Sequence, residues 1–511
     1  MSDSAHRSTG QRSTGQRSTG DVAIAAPNEA AADAGEQVVR AGGNAVDAAI
    51  AAALVTMVNE VGIVSLSSGG FITVQGPGDR AASTVDGWMD MAGRDVDRLG
   101  TGVWDVRTDY GGGVDVTIGP GSVAVHGSVA AFEETHRRWG RLPWRELFAP
   151  AIDVATRGFR LGTASRYYLD HVHELIFGWD DASAAAVHDD GGVTAGLVVV
   201  PDLAASLEQI AAEGAAALHV GDLARSICDD VLDRGGVLGP SDLAAYRPVV
   251  RPSLTARASG WTIGTNPPPS VGGTCVAAML QLLDGRPHGP WTDDDRDHLV
   301  RVMRAVLRRR LEVLDHADDL ERDAAALLAD VDRDALAVLE SGSTAHVSAT
   351  DAEGTACSIT VSSGYSSGMI ARGTGIWLNN CLGEQELNPR GLHGLPPGSR
   401  LLSNMAPCVA RHDDGSVLAI GSPGADRITT AITQALASFA NGGLALQDAI
   451  NHPRLHLHRS GRPDEELKVE TEPTMYFGGV AATLLRADGR LVAAADPRRD
   501  GAVRLVRRDA L

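Results

Sequence analysis

The spacing of apolar positions changes period four times along this chain, alternating between helical and strand spacing. Residues 28–58 are rich in alanine with apolar side chains at helical spacing, which predicts helix interrupted by a turn at Gly42-Gly43. Alternation replaces that period in Phe71-Ile72-Thr73-Val74-Gln75 and Ala82-Ser83-Thr84-Val85-Asp86, which predicts two strands. From about residue 123 to about residue 339 the pattern is mostly helical, most clearly over 202–213 and 295–315. Strands return with Thr344-Ala345-His346-Val347-Ser348-Ala349-Thr350-Asp351, followed by a turn at Asp351-Ala352-Glu353-Gly354 and a second strand, Thr355-Ala356-Cys357-Ser358-Ile359-Thr360-Val361. A further helical run covers 428–439, just after the loop Gly421-Ser422-Pro423-Gly424-Ala425-Asp426-Arg427.

A chain of 511 residues has room for roughly three domains. No linker separates these stretches, however, and no solenoid repeat is present, so one large sandwich with insertions is expected. The only repetition is Arg7-Ser8-Thr9-Gly10, Arg12-Ser13-Thr14-Gly15 and Arg17-Ser18-Thr19-Gly20. It is polar and lacks an apolar period, which predicts a disordered tail over residues 1–20.

The formal net charge of −20 argues against a nucleic-acid partner, because phosphate binding relies on a basic surface. No apolar run approaches the roughly 18 residues that cross a bilayer, and no basic segment followed by an apolar one opens the chain. A cytoplasmic protein with no membrane partner is therefore expected. The cysteines Cys228, Cys275, Cys357, Cys381 and Cys408 are odd in number and lack metal spacing, which suits a reducing compartment. His452, His456 and His458 read as packing or surface residues, so no metal site is expected.

Thr344 carries the most informative chemistry. A threonine hydroxyl is a poor nucleophile unless a base takes its proton, and a threonine at a chain start carries such a base in its own α-amine. With a reference pKa of ~7.7–8 that amine can act near neutrality. An internal threonine gains it only if the Ser343–Thr344 bond is cut.

Gly342-Ser343-Thr344-Ala345-His346-Val347-Ser348 resembles the small-subunit start of the gamma-glutamyltransferase family, which belongs to the N-terminal-nucleophile hydrolases and cuts itself before such a threonine. The resemblance extends to Gly42-Gly43-Asn44-Ala45-Val46-Asp47, Ser67-Ser68-Gly69-Gly70-Phe71, Pro120-Gly121-Ser122-Val123 and Pro201-Asp202-Leu203-Ala204. It continues through Pro267-Pro268-Pro269-Ser270-Val271-Gly272-Gly273-Thr274, Gly375-Ile376-Trp377-Leu378-Asn379-Asn380, the loop from Gly421 to Arg427, and Asn451-His452-Pro453-Arg454, in the family's order. It implies an α+β fold, a four-layer αββα sandwich built jointly by a large subunit of residues 21–343 and a small subunit of residues 344–511. It also implies processing between Ser343 and Thr344, a small-molecule substrate and no cofactor.

Residue by residue, the resemblance makes Thr344 the nucleophile and gives Ser362, where the family has a second threonine, a supporting hydroxyl. The backbone N–H groups of Gly424 and Ala425, in place of two glycines, become oxyanion donors, a role that survives the change to alanine if φ stays negative. Ser403 and Asn404 resemble a pair of substrate-binding serines whose second member has changed.

The amino-acid handle departs furthest from the family pattern. The segment Asp86-Gly87-Trp88-Met89-Asp90-Met91-Ala92-Gly93 lacks the arginine that grips a glutamyl carboxylate, and Trp88 stands in that region with Arg94 a few residues on. After Asn379-Asn380, Cys381-Leu382-Gly383-Glu384 leaves only Glu384 to meet an ammonium and places Cys381 beside the pocket. A family asparagine is missing around Ser363-Gly364.

The expected protein is a self-processing threonine hydrolase that forms an acyl-enzyme on Thr344, with a non-glutathione substrate in secondary metabolism. Three alternatives stand beside it. One is a C–C bond hydrolase releasing an oxalyl-type group from a keto-acid intermediate, as in divergent homologues of alkylproline (lincomycin and pyrrolobenzodiazepine) biosynthesis. The others are a gamma-glutamyl or oxamate-type amide hydrolase and a non-catalytic ligand-binding relative.

Overall fold

The computed structural model describes residues 16–18, 21–79, 81–97, 100–110, 113–190, 192–285, 291–330, 344–458 and 465–507. The bond before Thr344 therefore starts from a residue, Ser343, outside the described ones. So does most of the expected tail; Gln16–Ser18 pairs at a sheet edge with Leu491–Ala495.

Two seven-stranded antiparallel sheets stack on each other. The first runs in the order Ala502–Val506, Val22–Ala26, Ala345–Asp351, Ala356–Ser362, Gly69–Gln75, Ser83–Gly87, Val249–Pro252. The second runs Gln16–Ser18, Leu491–Ala495, Ala481–Leu485, Val417–Gly421, Cys408–His412, Trp261–Thr265, Leu254–Ala258. Helices Glu29–Arg40 and Ala45–Asn59 cover the outer face of the first sheet, while Val271–Leu283, Arg427–Leu436 and Leu446–Asn451 cover the second. This is the four-layer αββα arrangement.

The central helix, Ala45–Asn59, is apolar on every side and buried along its whole length, as a helix sandwiched between layers must be. Its start is set by Asn44, whose side chain accepts from the Val46 and Asp47 amides while Asp47 accepts from the Asn44 amide. The turn at Gly42-Gly43 separates it from the first helix, as the sequence predicts.

Helices at Leu203–Glu213 and Asp293–Glu312 agree with the expected positions. The mostly helical middle is corrected in one respect: it also holds Val249–Pro252 and Leu254–Ala258, which edge the two sheets, and Trp261–Thr265, which lies just inside the second edge. Their period-two signal is only four or five residues long, too short to stand out among the helices around it.

The strand Ala345–Asp351 alternates in an unusual sense. Ala345, Val347 and Ala349 join the core beneath the helices, whereas His346, Ser348 and Thr350 point between the sheets and are buried as well. They are satisfied there: Ser348 Oγ donates to the Ala481 carbonyl at 3.1 Å, and the Thr350 and Thr483 hydroxyls bond at 2.8 Å. Buried hydroxyls are tolerable only because each finds such a partner. Among the described residues no helix is long and apolar enough to cross a membrane.

Candidate active site

Thr344 stands immediately before the Ala345–Asp351 strand and is 3% exposed. In the antiparallel register Ala345 faces Val361, so one further step sets Thr344 opposite Ser362. Residues so paired have Cβ atoms roughly 4.5–5.5 Å apart, within reach of a hydroxyl–hydroxyl contact. The Thr344 side chain shares the strand face of His346 and Ser348, the face turned toward the second sheet.

His346 is fully enclosed on that face, with Nδ1 2.8 Å from Thr360 Oγ1 and Nε2 2.9 Å from Ser348 Oγ. Burial pushes its imidazole down to about 3, so the ring is neutral at ordinary pH and fixes geometry rather than supplying a proton.

Across the sheets, Val417–Gly421 leads into the loop that ends at the Arg427–Leu436 helix. Ser358 Oγ ties the two sides together by donating to the Ile420 carbonyl at 3.0 Å. Gly424, at φ 123°, lies so close to Gly478 that a Cβ would fall 2.9 Å from its Cα. Ala425 has φ 68°, so the condition of a negative φ is not met: the loop keeps the left-handed turn that suits glycine although an alanine occupies it, and its N–H is retained. Neither the Gly424 nor the Ala425 N–H donates to a protein acceptor among the described residues. Two such amides beside a helix start are what a developing oxyanion requires.

The loop is anchored from behind. Asp426 accepts from His456 Nε2 at 2.8 Å and pairs with Arg427. Burial alone would raise the Asp426 carboxyl, but the Arg427 charge and the His456 contact hold it well below the usual range. His456 therefore serves as a loop anchor, and no group of metal-ligating side chains occurs among the described residues.

On the other side, Ser362 Oγ accepts from the Gly364 amide at 3.0 Å. Gly364 has φ 69°, and a Cβ there would stand 2.4 Å from Asn380 Oδ1 and 2.6 Å from Glu384 Oε1. Glu384 thus fills the space that a side chain on Gly364 would take. The turn is supported by hydroxyls the sequence did not single out for a role: Ser363 Oγ lies 2.7 Å from Ser68 Oγ and 3.0 Å from Ser65 Oγ. Asn380 adds its Oδ1 as acceptor for the Tyr365 amide at 2.6 Å.

Glu384 lines an open cleft of about 910 Å³ together with Tyr365, Glu386, Thr117 and Asp315. Cys381 is buried and its thiol is pushed well above its ordinary value, first by burial and then by Glu384, which favours the protonated thiol.

Ser403 and Asn404 lie in a segment held by the Val271–Leu283 helix start, whose Val271 and Gly272 amides donate to the Ser403 carbonyl at 2.9 and 3.1 Å. Trp88 is 2% exposed, rests against Phe71, and donates through Nε1 to the Leu402 carbonyl at 2.8 Å. Its contact with the site therefore runs through the neighbour of Ser403.

Neither nearby arginine is free to replace the missing clamp. Arg94 lies over Gly398 with its Nε 3.8 Å from Asp242. Arg400 is held by Asp90 at 3.2 Å, Asp86 at 3.5 Å and the Tyr246 hydroxyl at 2.8 Å.

A group of phenols near the cleft also escaped the sequence. Tyr110 meets Tyr168, Tyr167 and Tyr365 at ring separations of 5.0, 5.9 and 6.4 Å. These residues are scattered in sequence and converge only through folding.

The family description "Gamma-glutamyltranspeptidase" matches residues 31–510. The chain belongs to the gamma-glutamyltranspeptidase family. It is 28% identical to the glutathione hydrolase proenzyme of Pseudomonas aeruginosa, over 94% of this chain and 93% of that one. It is 30% identical to the acylase ACY 1 proenzyme of a Pseudomonas species, over 92% of this chain and 91% of the relative. Among solved structures, an LmbA protein superposes with a TM-score of 0.77 at 21% identity, over 96% of this chain and 98% of the other. Family membership makes the chain an enzyme of the hydrolase and acyltransferase kind, and the architecture is that of the N-terminal-nucleophile hydrolases.

Proposed function

We propose that this gamma-glutamyltranspeptidase-family enzyme cuts itself between Ser343 and Thr344 and then hydrolyses an acyl donor other than glutathione through an ester on Thr344. The observation that carries the reading is the register that sets Thr344 opposite Ser362, on the strand face turned toward the loop with two uncommitted amides. The word proenzyme in the names of both relatives supports processing, and the name acylase supports an acyl donor beyond glutathione.

In maturation the Thr344 hydroxyl attacks the Ser343 carbonyl, the peptide becomes an ester, and water opens it to leave a Ser343 carboxyl and a free Thr344 amine. In turnover that amine takes the hydroxyl proton while Oγ attacks the donor carbonyl. The Gly424 and Ala425 amides receive the oxyanion, the leaving group departs with the proton, and water releases the acyl group. Ser362 orients Thr344, and Ser403 and Asn404 border the donor.

The segment from Asp86 to Gly93 has no arginine, and Arg94 and Arg400 are engaged by carboxylates, which together disfavour a glutamyl group. Glu384, buried without a cation, favours a second reading in which the donor is a keto acid and the bond broken is C–C. A gamma-glutamyl or oxamate-type amide remains the competing substrate class.

The test is a denaturing gel with N-terminal sequencing of the smaller fragment, expected to read Thr-Ala-His-Val-Ser. Thr344→Ala should give one uncut, inactive chain. An uncut wild type would point to a ligand-binding relative, and a cut Thr344→Ala variant to an outside protease.

A further inference from the structure

Glu384 is an acidic group at the candidate site that no basic group among the described residues balances. It is 5% exposed, its Oε1 has no hydrogen-bond partner, and it borders the cleft. The groups facing it come from three elements. Cys381, on its own turn, offers a thiol hydrogen bond, and Asn380 Oδ1, itself an acceptor, shares the space beside Gly364. Tyr365, beyond the Ala356–Ser362 strand, and Tyr168, on the Thr163–Val172 helix, present phenols that feel the Glu384 charge.

The arginines around the cleft are engaged by other acids, among them Arg427, whose charge reaches Tyr365 but which pairs with Asp426, while His316 borders the cleft beside Asp315. Arg107 pairs with Asp115 at 2.7 Å, and Arg310 behind the wall pairs with Asp315 at 2.9 Å. Glu386, on the same loop, adds a further acid. An unpaired carboxylate in such surroundings is costly, whereas a carboxylic acid is not, and the acid form has a proton to give.

We infer that Glu384 reads the acyl donor as a hydrogen-bond donor, giving a carboxylic-acid proton to an oxygen acceptor, a keto or carboxyl oxygen, next to the scissile carbonyl. A position suited by sequence to an ammonium has become one that prefers an α-keto group. Gly364 makes this possible: any side chain there would collide with Glu384 Oε1, so the absent Cβ is what lets the longer acid reach the pocket. Burial pushes the carboxyl up to about 8, in keeping with this assignment. The inference rests on the proposed acyl-transfer site, whose substrate class it specifies.

The experiment uses the full-length protein and two probes that differ only at the position in question, 2-oxoglutarate and L-glutamate, with binding measured by calorimetry. At pH 6.5 the keto acid should bind at least about tenfold more tightly, and this preference should shrink by about tenfold by pH 9, as Glu384 loses its proton one unit above its pKa. Glu384→Gln, which keeps a donor that cannot titrate, should hold the preference at both pH values, and Glu384→Ala should lose it.

Infrared difference spectra give a second readout that needs no ligand. A carboxylic-acid carbonyl band at pH 6.5 should be present in the wild type and missing in Glu384→Gln. A preference for L-glutamate at pH 6.5, binding of neither probe, or no acid band lost on Glu384→Gln would each overturn the inference. An uncut chain without a Thr344 ester would sink the proposed activity while leaving the infrared band in place, so the two failures can be told apart.

Discussion

The imidazole of His346 packs against Gly421 so closely that a methyl group there would fall 2.3 Å from its Cε1. The ring two residues beyond Thr344 therefore rests on the strand end that carries the Gly424–Ala425 loop, and this contact helps set the spacing between the proposed nucleophile and the proposed oxyanion donors. Gly421→Ala should separate them. Overpacking of this kind typically costs about 1–3 kcal/mol. Thermal unfolding should show the loss of stability, and a denaturing gel should show slowed processing; a variant that cuts and unfolds like wild type would contradict this coupling.

Ala425 offers the opposite test. Its left-handed φ is disfavoured for any residue with a Cβ, by roughly 1–2 kcal/mol. Ala425→Gly should stabilise the protein by about 0.5–1 kcal/mol, part of the relief being offset by the freer unfolded chain. Turnover should hardly change, since the N–H remains. Urea unfolding and steady-state rates measure the two effects separately.

Stability should peak near pH 6.5. Burial pushes His346 and His126 down to about 3 and His219 down to about 4, so below their ordinary value of 6.5 the unfolded chain binds protons that the folded chain refuses. Each imidazole then removes stability as pH falls, at roughly 1.4 kcal/mol per unit. Glu384, raised to about 8, and Asp90, raised to about 6, act in the reverse sense, since their folded forms hold protons that the unfolded chain has released. Between pH 8 and 6.5 Glu384 therefore adds stability as pH falls, and below that the three histidines outweigh the two acids. Urea midpoints from pH 5 to 8.5 should trace this maximum.

Gamma-glutamyl anilides should be poor substrates. Losing one partner of a charged hydrogen-bonded pair costs on the order of 2–5 kcal/mol, or roughly 30- to several-thousand-fold. Both Arg94 and Arg400 are held by carboxylates. Returning a cation by Trp88→Arg should not rescue the activity, because that site is enclosed against Phe71 and would bury the charge; the expected result is low soluble yield. Ordinary turnover of the anilide would show that one of the two arginines can swing free.

Ser362→Ala should lower kcat at least about tenfold with little change in KM, since the hydroxyl lies opposite Thr344 and is expected to orient it. Equal losses in both constants would place Ser362 in donor binding instead.

Much of this was legible in the sequence where local pattern and chemistry coincide. The helix pair split at Gly42-Gly43 and the Thr344 hairpin follow from period and turn residues, and the loop at Gly424 from its glycine and proline. The alternation of Val347 and Ala349 with His346, Ser348 and Thr350 does not reveal that the polar set is buried, because only the second sheet covers it. The positive φ of Ala425 is hidden for a related reason: alanine carries no signal for a left-handed turn, and the packing of Gly424 on Gly478 comes from outside the loop. Tyr110, Tyr168 and Tyr365 come together through three separate elements, and no local pattern announces them. Nor does the sequence show that Gly364 makes room for Glu384, since the two are joined only by the fold.

The strand order of the first sheet has one more consequence. Val22–Ala26 is clasped between Ala345–Asp351 and Ala502–Val506, and Ala356–Ser362 is paired to Gly69–Gln75. If the chain is cut before Thr344, neither piece can leave without tearing open hydrogen-bonded ladders in the middle of that sheet. Dilution would not separate them, and activity would be independent of protein concentration, as for an unbroken polypeptide. Return from denaturant would differ, because two chains must then find each other while each exposes bare strand edges. The mature enzyme would thus assemble once, as a single precursor, and its loss by heat would be irreversible.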